Sequence, residues 1–280
     1  MVQETGKCRN TIDKYYTKRD IVDMCIGVIK SVIVIGENDL VIEPSAGNGS
    51  FVSGIKSLSR RCEFYDLEPE HSSILKRDFL EYTHESGSYK THVVGNPPFG
   101  RQSSLAIKFI KKSCEFCETV SFILPRSFKK DSLKKHFPVN FHLVTEVDLP
   151  SNGFTVNGIE HDVPCVFQIW ERRNEPRVIE KPLTSSHFEF VKRHENPDIS
   201  FRRVGVNSGK VDKDFNDKSI QSHYFIKFTN GNPLEKNIDV LSKIEYKFDN
   251  TVGPRSISKQ ELVKLSERYF LDLTDHQLNE

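Results

Sequence analysis

The chain is poor in most features that mark a specialised class. It has 280 residues, with one tryptophan and two methionines. No apolar run approaches the roughly 18 residues that a spanning helix needs, so no membrane segment is expected. The first residues, MVQETGKCRNTIDKYY, are polar and lack an apolar signal core. The expected location is therefore intracellular, cytoplasmic or nuclear. The six cysteines are then expected as reduced thiols. Cys114 and Cys117 have CxxC spacing, but no second pair or histidine at ligand spacing accompanies them, so no metal site is expected. An excess of one charge is also missing: 40 Lys+Arg stand against 39 Asp+Glu, a net +1. Attraction to a polyanion would have to come from local clustering. The ten histidines are scattered, with no HExxH and no recognisable nucleophile motif.

What is present is an alternation of strand and helix patterns. An amphipathic helix is predicted over residues 20–30 and a buried strand over 39–43. A small-residue turn and a short helix to about residue 57 should follow. Further strands are predicted over 62–67, 92–95, 120–124, 141–149 and 163–170. Helices are expected over 104–114 and, strongly basic, over 127–137. This order implies an α/β fold with a doubly wound, mostly parallel, Rossmann-like sheet. Its last two strands, joined only by a loop, should form an antiparallel pair at one edge. The charged, Pro-containing stretch 171–176 suggests a boundary. Three segments are expected: an N-terminal segment over 1–30, the core over 31–175, and a small α+β module over 176–280. The polar run 207–221 in that module reads as a loop, and Ser258 with Glu261 as a helix start.

Three strand ends carry candidate chemistry. Parallel sheets bind ligands at the carboxyl ends of their strands, near the point where strand order reverses. The strand over 39–43 ends in Glu43-Pro44-Ser45-Ala46-Gly47-Asn48-Gly49. Glu43 offers a negative charge to an amine-bearing group, and Gly47 and Gly49 keep side chains away from a ligand. The turn lacks both the Lys-Ser/Thr of a phosphate loop and the third glycine of the dinucleotide fingerprint. The next strand ends at Asp66, about 20 residues after the turn, where a ribose would be held, with Glu68 the competing acceptor. The third strand end is Asn96-Pro97-Pro98-Phe99. The prolines remove two N–H donors. An asparagine amide beside an outward carbonyl makes two fixed acceptors, which suit the two hydrogens of an exocyclic amino group. Phe99 adds a flat face for a planar heterocycle.

Together these residues resemble the amino-directed S-adenosylmethionine-dependent methyltransferases, especially the adenine-N6 enzymes acting on nucleic acid. The resemblance covers roughly residues 12–172 and has the gamma order of motifs. It implies S-adenosyl-L-methionine as cofactor. Tyr15, Tyr16 and Thr17 would close over its methionine part. Glu43 would approach its amino group, while Pro44, Ala46, Gly47 and Gly49 line the pocket. Asp66 would take the ribose, and Asp78 the cofactor adenine, with Phe79 beside the ring. Asn96 and the Pro97 carbonyl would accept from the target amino group. Phe99 would stack on the target base, and Phe154 would form the second face. Residues 100–136 hold nine basic against three acidic residues, including Arg101, Lys129 and Lys130. These, with Arg202 and Arg203, are candidate nucleic-acid contacts.

The expected function is adenine-N6 methylation in nucleic acid, with DNA favoured over RNA. Other readings stay open. An RNA adenosine methyltransferase, cap-adjacent or internal, could carry the same Asn-Pro-Pro-Phe. A glutamine methyltransferase uses the same device, usually with Tyr in place of Phe99 and its extra domain before the core. A catalytically silent partner subunit would fail to bind the cofactor.

Overall fold

The computed structural model describes residues 15–85, 87–156, 158–179, 181–246 and 255–277, with side chains described as far as Leu271. The chain divides into two compact units, Met1–Ile179 and Glu180–Glu280.

In the first unit the elements run β1 (Tyr16–Thr17), α1 (Arg19–Val32), β2 (Leu40–Glu43), α2 (Val52–Lys56), β3 (Arg61–Asp66), β4 (Leu75–Lys76) and β5 (Thr91–Gly95). They continue with α3 (Ser104–Ser113), β6 (Thr119–Pro125), α4 (Asp131–Lys134), β7 (Phe141–Asp148), β8 (Phe154–Val156), β9 (Ile159–His161) and β10 (Cys165–Arg172). All residues of β2, β5 and β6 are buried, as expected for strands covered on both faces. The alternation of the strand decides the layers. Val41 and Val94 pack with Ile21, Cys25 and Ile29 of α1. Ile42 and Val93 point the other way, onto Ala106, Phe109 and Ile110 of α3. Burying each such side chain contributes about 1.5–3 kcal/mol.

The seven-stranded sheet has the order β4-β3-β2-β5-β6-β10-β7. Strands β4, β3, β2, β5 and β6 pair in parallel. This is the expected doubly wound class, with the antiparallel β7–β10 pair at one edge. The structure adds that β10 inserts between β6 and β7 and is antiparallel to both. Strand order reverses between β2 and β5, which sets Glu43 and Asn96 beside the same crevice.

Two local expectations are corrected. The basic helix expected over 127–137 is a 3₁₀ turn, Arg126–Lys129, followed by the short α4; Lys130 takes extended dihedrals (φ −81°, ψ 138°) and splits it. The stretch between β7 and β10 is more than a loop. It folds as the β8–β9 hairpin, and β8 pairs with β1 through Tyr16–Thr155 and Thr17–Phe154.

The second unit contains β11 (Phe188–Val191), β12 (Ile199–Arg202), β13 (Val211–Asp212), β14 (His223–Phe228), α5 (Leu234–Lys243) and α6 (Lys259–Gln277). Its sheet is antiparallel, in the order β11-β14-β12-β13. Phe201 and Ile226 pack with Leu241 of α5 and with Leu262 and Phe270 of α6. The start of α6 is a reciprocal cap: Glu261 N–H donates to Ser258 Oγ at 3.1 Å, and Ser258 N–H to Glu261 Oε2 at 3.3 Å. The run 207–221, expected as a loop, carries β13.

Candidate active site

Glu43 ends β2 with only 2% of its surface exposed. Its Oε2 is buried and has no hydrogen-bond partner among the described residues. Burial, reinforced by the nearby Asp66 charge, pushes its carboxyl well above the ordinary range. Room for this side chain comes from Gly95 on β5, where a Cβ would lie 3.2 Å from Glu43 Cγ.

Asn96 follows Gly95 directly. Its backbone carbonyl accepts from Ser45 Oγ at 3.2 Å, which ties the end of β5 to the turn after β2. Its side-chain Nδ2 donates to Thr17 Oγ1 at 3.2 Å. The other end of the amide, Oδ1, is buried without a partner among the described residues. Two acceptors at the switch point are thus left unsatisfied, a costly arrangement unless a donor arrives. Pro97 is buried, and Pro98 and Phe99 are half-buried. Phe99 packs against the hydrophobic layers on both faces of the sheet.

The glycine turn is held from three sides. Gly47 N–H donates to Asp66 Oδ2 at 2.7 Å, and Glu68 N–H donates to Asp66 Oδ1 at 2.8 Å. Asp66, expected as a ribose acceptor, is therefore also the anchor of the turn; each oxygen keeps a second lone pair. Gly47 and Gly49 have φ of +50° and +83°, a region that favours glycine. A Cβ on Gly49 would strike the His71 ring at 2.9 Å. Tyr16 O–H donates to Glu70 Oε1 at 2.5 Å, and Glu70 N–H to the Gly47 carbonyl at 3.0 Å. A cleft of about 330 Å³ opens here, lined by Thr17, Arg19, Asn48, Gly49, Ser50 and His71, among others. Pro44 and Ala46 are buried beneath the turn.

The remaining expected residues fall into place unevenly. Asp78 accepts from Leu80 N–H at 2.8 Å and starts a 3₁₀ turn, Phe79–Glu81. Phe79 does not offer a ring face. It is 1% exposed and stacks on Tyr82 and Phe109, with centroids at 5.8 and 5.6 Å. Phe154 is also 1% exposed, which removes it as a surface for stacking a base. Its side chain belongs to the core because β8 is paired to β1. The exposed Tyr15 meets Phe154 edge-on at 6.4 Å. Arg101 is exposed, and Lys129 is paired with Asp148 at 2.8 Å. Lys130 is half-buried. Arg202 and Arg203 belong to the second unit. Arg202 Nε donates to the Val204 carbonyl at 2.9 Å, and the Arg203 guanidinium lies 5.1 Å from the Tyr224 ring centre.

Sequence reasoning overlooked Ser45, Glu70 and His71. Ser45 lies inside the motif and could have been singled out, but Glu70 and His71 join the turn only through tertiary folding. The CxxC pair lies at the end of α3 with Cys114 5% and Cys117 0% exposed. Burial raises both thiols, and Arg172 donates to both carbonyls, at 2.7 and 2.9 Å.

No family model matches the chain, and no curated protein matches it in sequence. Solved structures do resemble it in chain path. A candidate RNA methyltransferase from Pyrococcus horikoshii aligns at 16% identity and TM-score 0.47, over 60% of this chain and 90% of that one. The 23S rRNA methyltransferase ErmE aligns at 17% and 0.43, over 60% and 73%. N-methyltransferase NodS from Bradyrhizobium japonicum WM9, in complex with S-adenosyl-L-homocysteine, aligns at 12% and 0.40, over 57% and 89%.

Proposed function

We propose that the chain is an S-adenosylmethionine-dependent methyltransferase acting on the exocyclic N6 amino group of adenine in nucleic acid, with DNA as the first substrate. One observation carries the reading. Two buried acceptors without partners among the described residues, Glu43 Oε2 and Asn96 Oδ1, stand at the ends of the two strands that flank the switch point.

The donor set fits the cofactor. Glu43 would face its ammonium group, Gly47 and Gly49 would line its path, and Asp66 would receive the ribose hydroxyls. Asp78 would accept from its adenine amino group. Bound S-adenosylmethionine would supply a methyl group on a positive sulfur. The protein's own work is positioning. Asn96 Oδ1 and the Pro97 carbonyl accept the two hydrogens of the target amino group. Held this way, the nitrogen keeps its lone pair out of the ring and available as a nucleophile. It would take the methyl group that the bound cofactor supplies, and its surplus proton would then leave to water. Fixed dipoles and orientation supply the rate enhancement. Phe99 stacks on the target base, an interaction worth about 1–3 kcal/mol. In duplex DNA the base must first leave the stack, at a cost of a few kcal/mol. Arg101, Lys129, Lys130, Arg202 and Arg203 are the proposed phosphate contacts.

The deciding experiment is tritiated methyl transfer to unmethylated genomic DNA, total RNA and a protein pool, followed by digestion. Label in N6-methyldeoxyadenosine is expected. Label in N6-methyladenosine moves the substrate to RNA, and label in methylglutamine overturns the nucleic-acid reading. Asn96→Ala should abolish transfer and leave cofactor affinity nearly unchanged.

A further inference from the structure

We infer that Thr17 is a positioning residue: its hydroxyl accepts from Asn96 Nδ2 and holds the amide in place, with Oδ1 left to meet the target amino group. The inference rests on the reading of Asn96 given above. It assigns Thr17 a task different from closing over the cofactor.

The two ends of an asparagine amide are nearly the same size, so shape alone selects neither rotation. The Thr17 hydroxyl can accept from Nδ2 or donate to Oδ1, so it holds the amide, and the arriving amino group, which needs an acceptor, favours the rotation with Oδ1 inward. With Nδ2 turned inward, two donors would face two donors, and the acceptor would be lost. Here Nδ2 donates to Thr17 Oγ1 at 3.2 Å, and Oδ1 is the buried, unpartnered end. The Asn96 main chain is pinned separately, by Ser45 Oγ on its carbonyl at 3.2 Å. What remains adjustable is the side-chain rotation, and Thr17 is its partner.

Thr17 is itself held firmly. It is 7% exposed and pairs with Phe154 across β1 and β8. The next residue, Lys18, donates its N–H to the Gly153 carbonyl at 3.0 Å. Phe154 is locked in the core at 1% exposure. A line of contact therefore runs from the core, through the hairpin strand β8, to the hydroxyl that orients Asn96. This gives the buried Phe154 a use that stacking on a base does not require. It also explains why the segment before α1 must pair as a strand.

Thr17→Val keeps the shape and removes the hydroxyl, and Thr17→Ser keeps the hydroxyl. Both are compared with wild type and Asn96→Ala, using unmethylated genomic DNA and total RNA with tritiated S-adenosylmethionine. Thr17→Val is expected to lower kcat on the order of 10²-fold, as misorientation of a reacting group does. Its cofactor Kd should stay within about threefold, a shift too small to matter beside that loss. Thr17→Ser should recover most of the rate. The Asn96 side-chain NH₂ resonance, assigned by its loss in Asn96→Ala, gives a readout without substrate. It should exchange slowly with water in wild type and Thr17→Ser, and quickly in Thr17→Val. Thr17→Ala replaces the valine variant if a thermal melt finds the latter unfolded. Wild-type kcat in Thr17→Val overturns the inference. So does a defect confined to cofactor Kd. If Asn96→Ala itself turns over normally, the reading of the site fails and this inference with it. If Asn96→Ala is dead and Thr17→Val unimpaired, only this inference fails.

Discussion

The Asp66 carboxylate accepts the Gly47 N–H at 2.7 Å, so the end of one strand holds the glycine turn of its neighbour. The second oxygen accepts from Glu68 at 2.8 Å, which fixes the following loop as well. A residue read from sequence as a ligand contact thus has a structural duty that precedes any ligand. Asp66→Ala leaves both N–H groups without their partner, at about 1–3 kcal/mol for each one that water cannot reach. The expected result is a lower Tm without cofactor and a cofactor Kd raised more than tenfold. A variant with wild-type Tm and raised Kd would assign Asp66 to the ligand alone.

Glu43 should make the ligand-free protein sensitive to alkali. Its folded-state pKa lies well above the ordinary 4.5, because burial disfavours the carboxylate. The folded state therefore holds a proton that the unfolded chain has lost. Stability from this group is complete below 4.5 and falls as pH rises through the raised value. Glu43→Gln should raise the Tm of the ligand-free protein at neutral and higher pH, and should weaken cofactor binding. Calorimetry in buffers of different ionisation enthalpy should detect proton release when the cofactor binds to wild type but not to the variant. Equal release by both would remove Glu43 from the site.

How far the sequence carries can be judged from particular residues. Six of the seven strands of the sheet are legible as short apolar runs bounded by turn residues, β2 and β5 among them; β4, two exposed residues, is not. Asn96 and Glu43 were legible as strand ends. The hairpin β8–β9 was not, since its strands are three residues each and only pairing with β1 makes them strands. The sequence places Phe79 beside the cofactor ring and Phe154 against the target base because an aromatic in a motif looks the same whether it points to a ligand or to the core. Burial decides that, and burial is tertiary. The place of β10 between β6 and β7 was equally out of reach, since an antiparallel pair has the same pattern in either order.

Trp170 offers a test of packing in the first unit. It is the only tryptophan, 2% exposed, and stacks on Phe137 at 4.0 Å. Its Nε1–H donates to Gln168 Oε1 at 3.0 Å, while Gln168 Nε2 donates to the Phe128 carbonyl at 3.1 Å. Gln168→Leu removes a buried group that serves three partners, counting Glu146 at 2.7 Å. A loss of about 2–4 kcal/mol is expected, as each partner is left unsatisfied in turn. Chemical denaturation followed by Trp170 fluorescence measures it, with a blue-shifted folded emission. A loss below about 0.5 kcal/mol, the range of ordinary surface changes, would mean that water replaces the amide.

The basic stretch after Asn96–Phe99 is less cationic in the fold than in the sequence. Asp148, on β7, lies 2.8 Å from Lys129 and 3.4 Å from Arg126, and Glu146 lies 3.1 Å from Lys134. Two acids from the far edge of the sheet thus offset part of the excess that the linear count gave. Arg101, Lys108 and Lys111 stay exposed. If this surface meets phosphate, Asp148→Asn should tighten binding to a fluorescent adenine-containing DNA oligonucleotide. It should also steepen log Kobs against log salt by about 0.9 for each cation newly engaged. Arg101→Ala should do the reverse, weakening binding alike across sequences and flattening the slope by about one unit. Anisotropy titrations between about 50 and 200 mM salt span the range in which such slopes are measured. Slopes unchanged in both variants would place the nucleic acid on another surface, and leave the basic stretch as the solvated flank of α3 and α4.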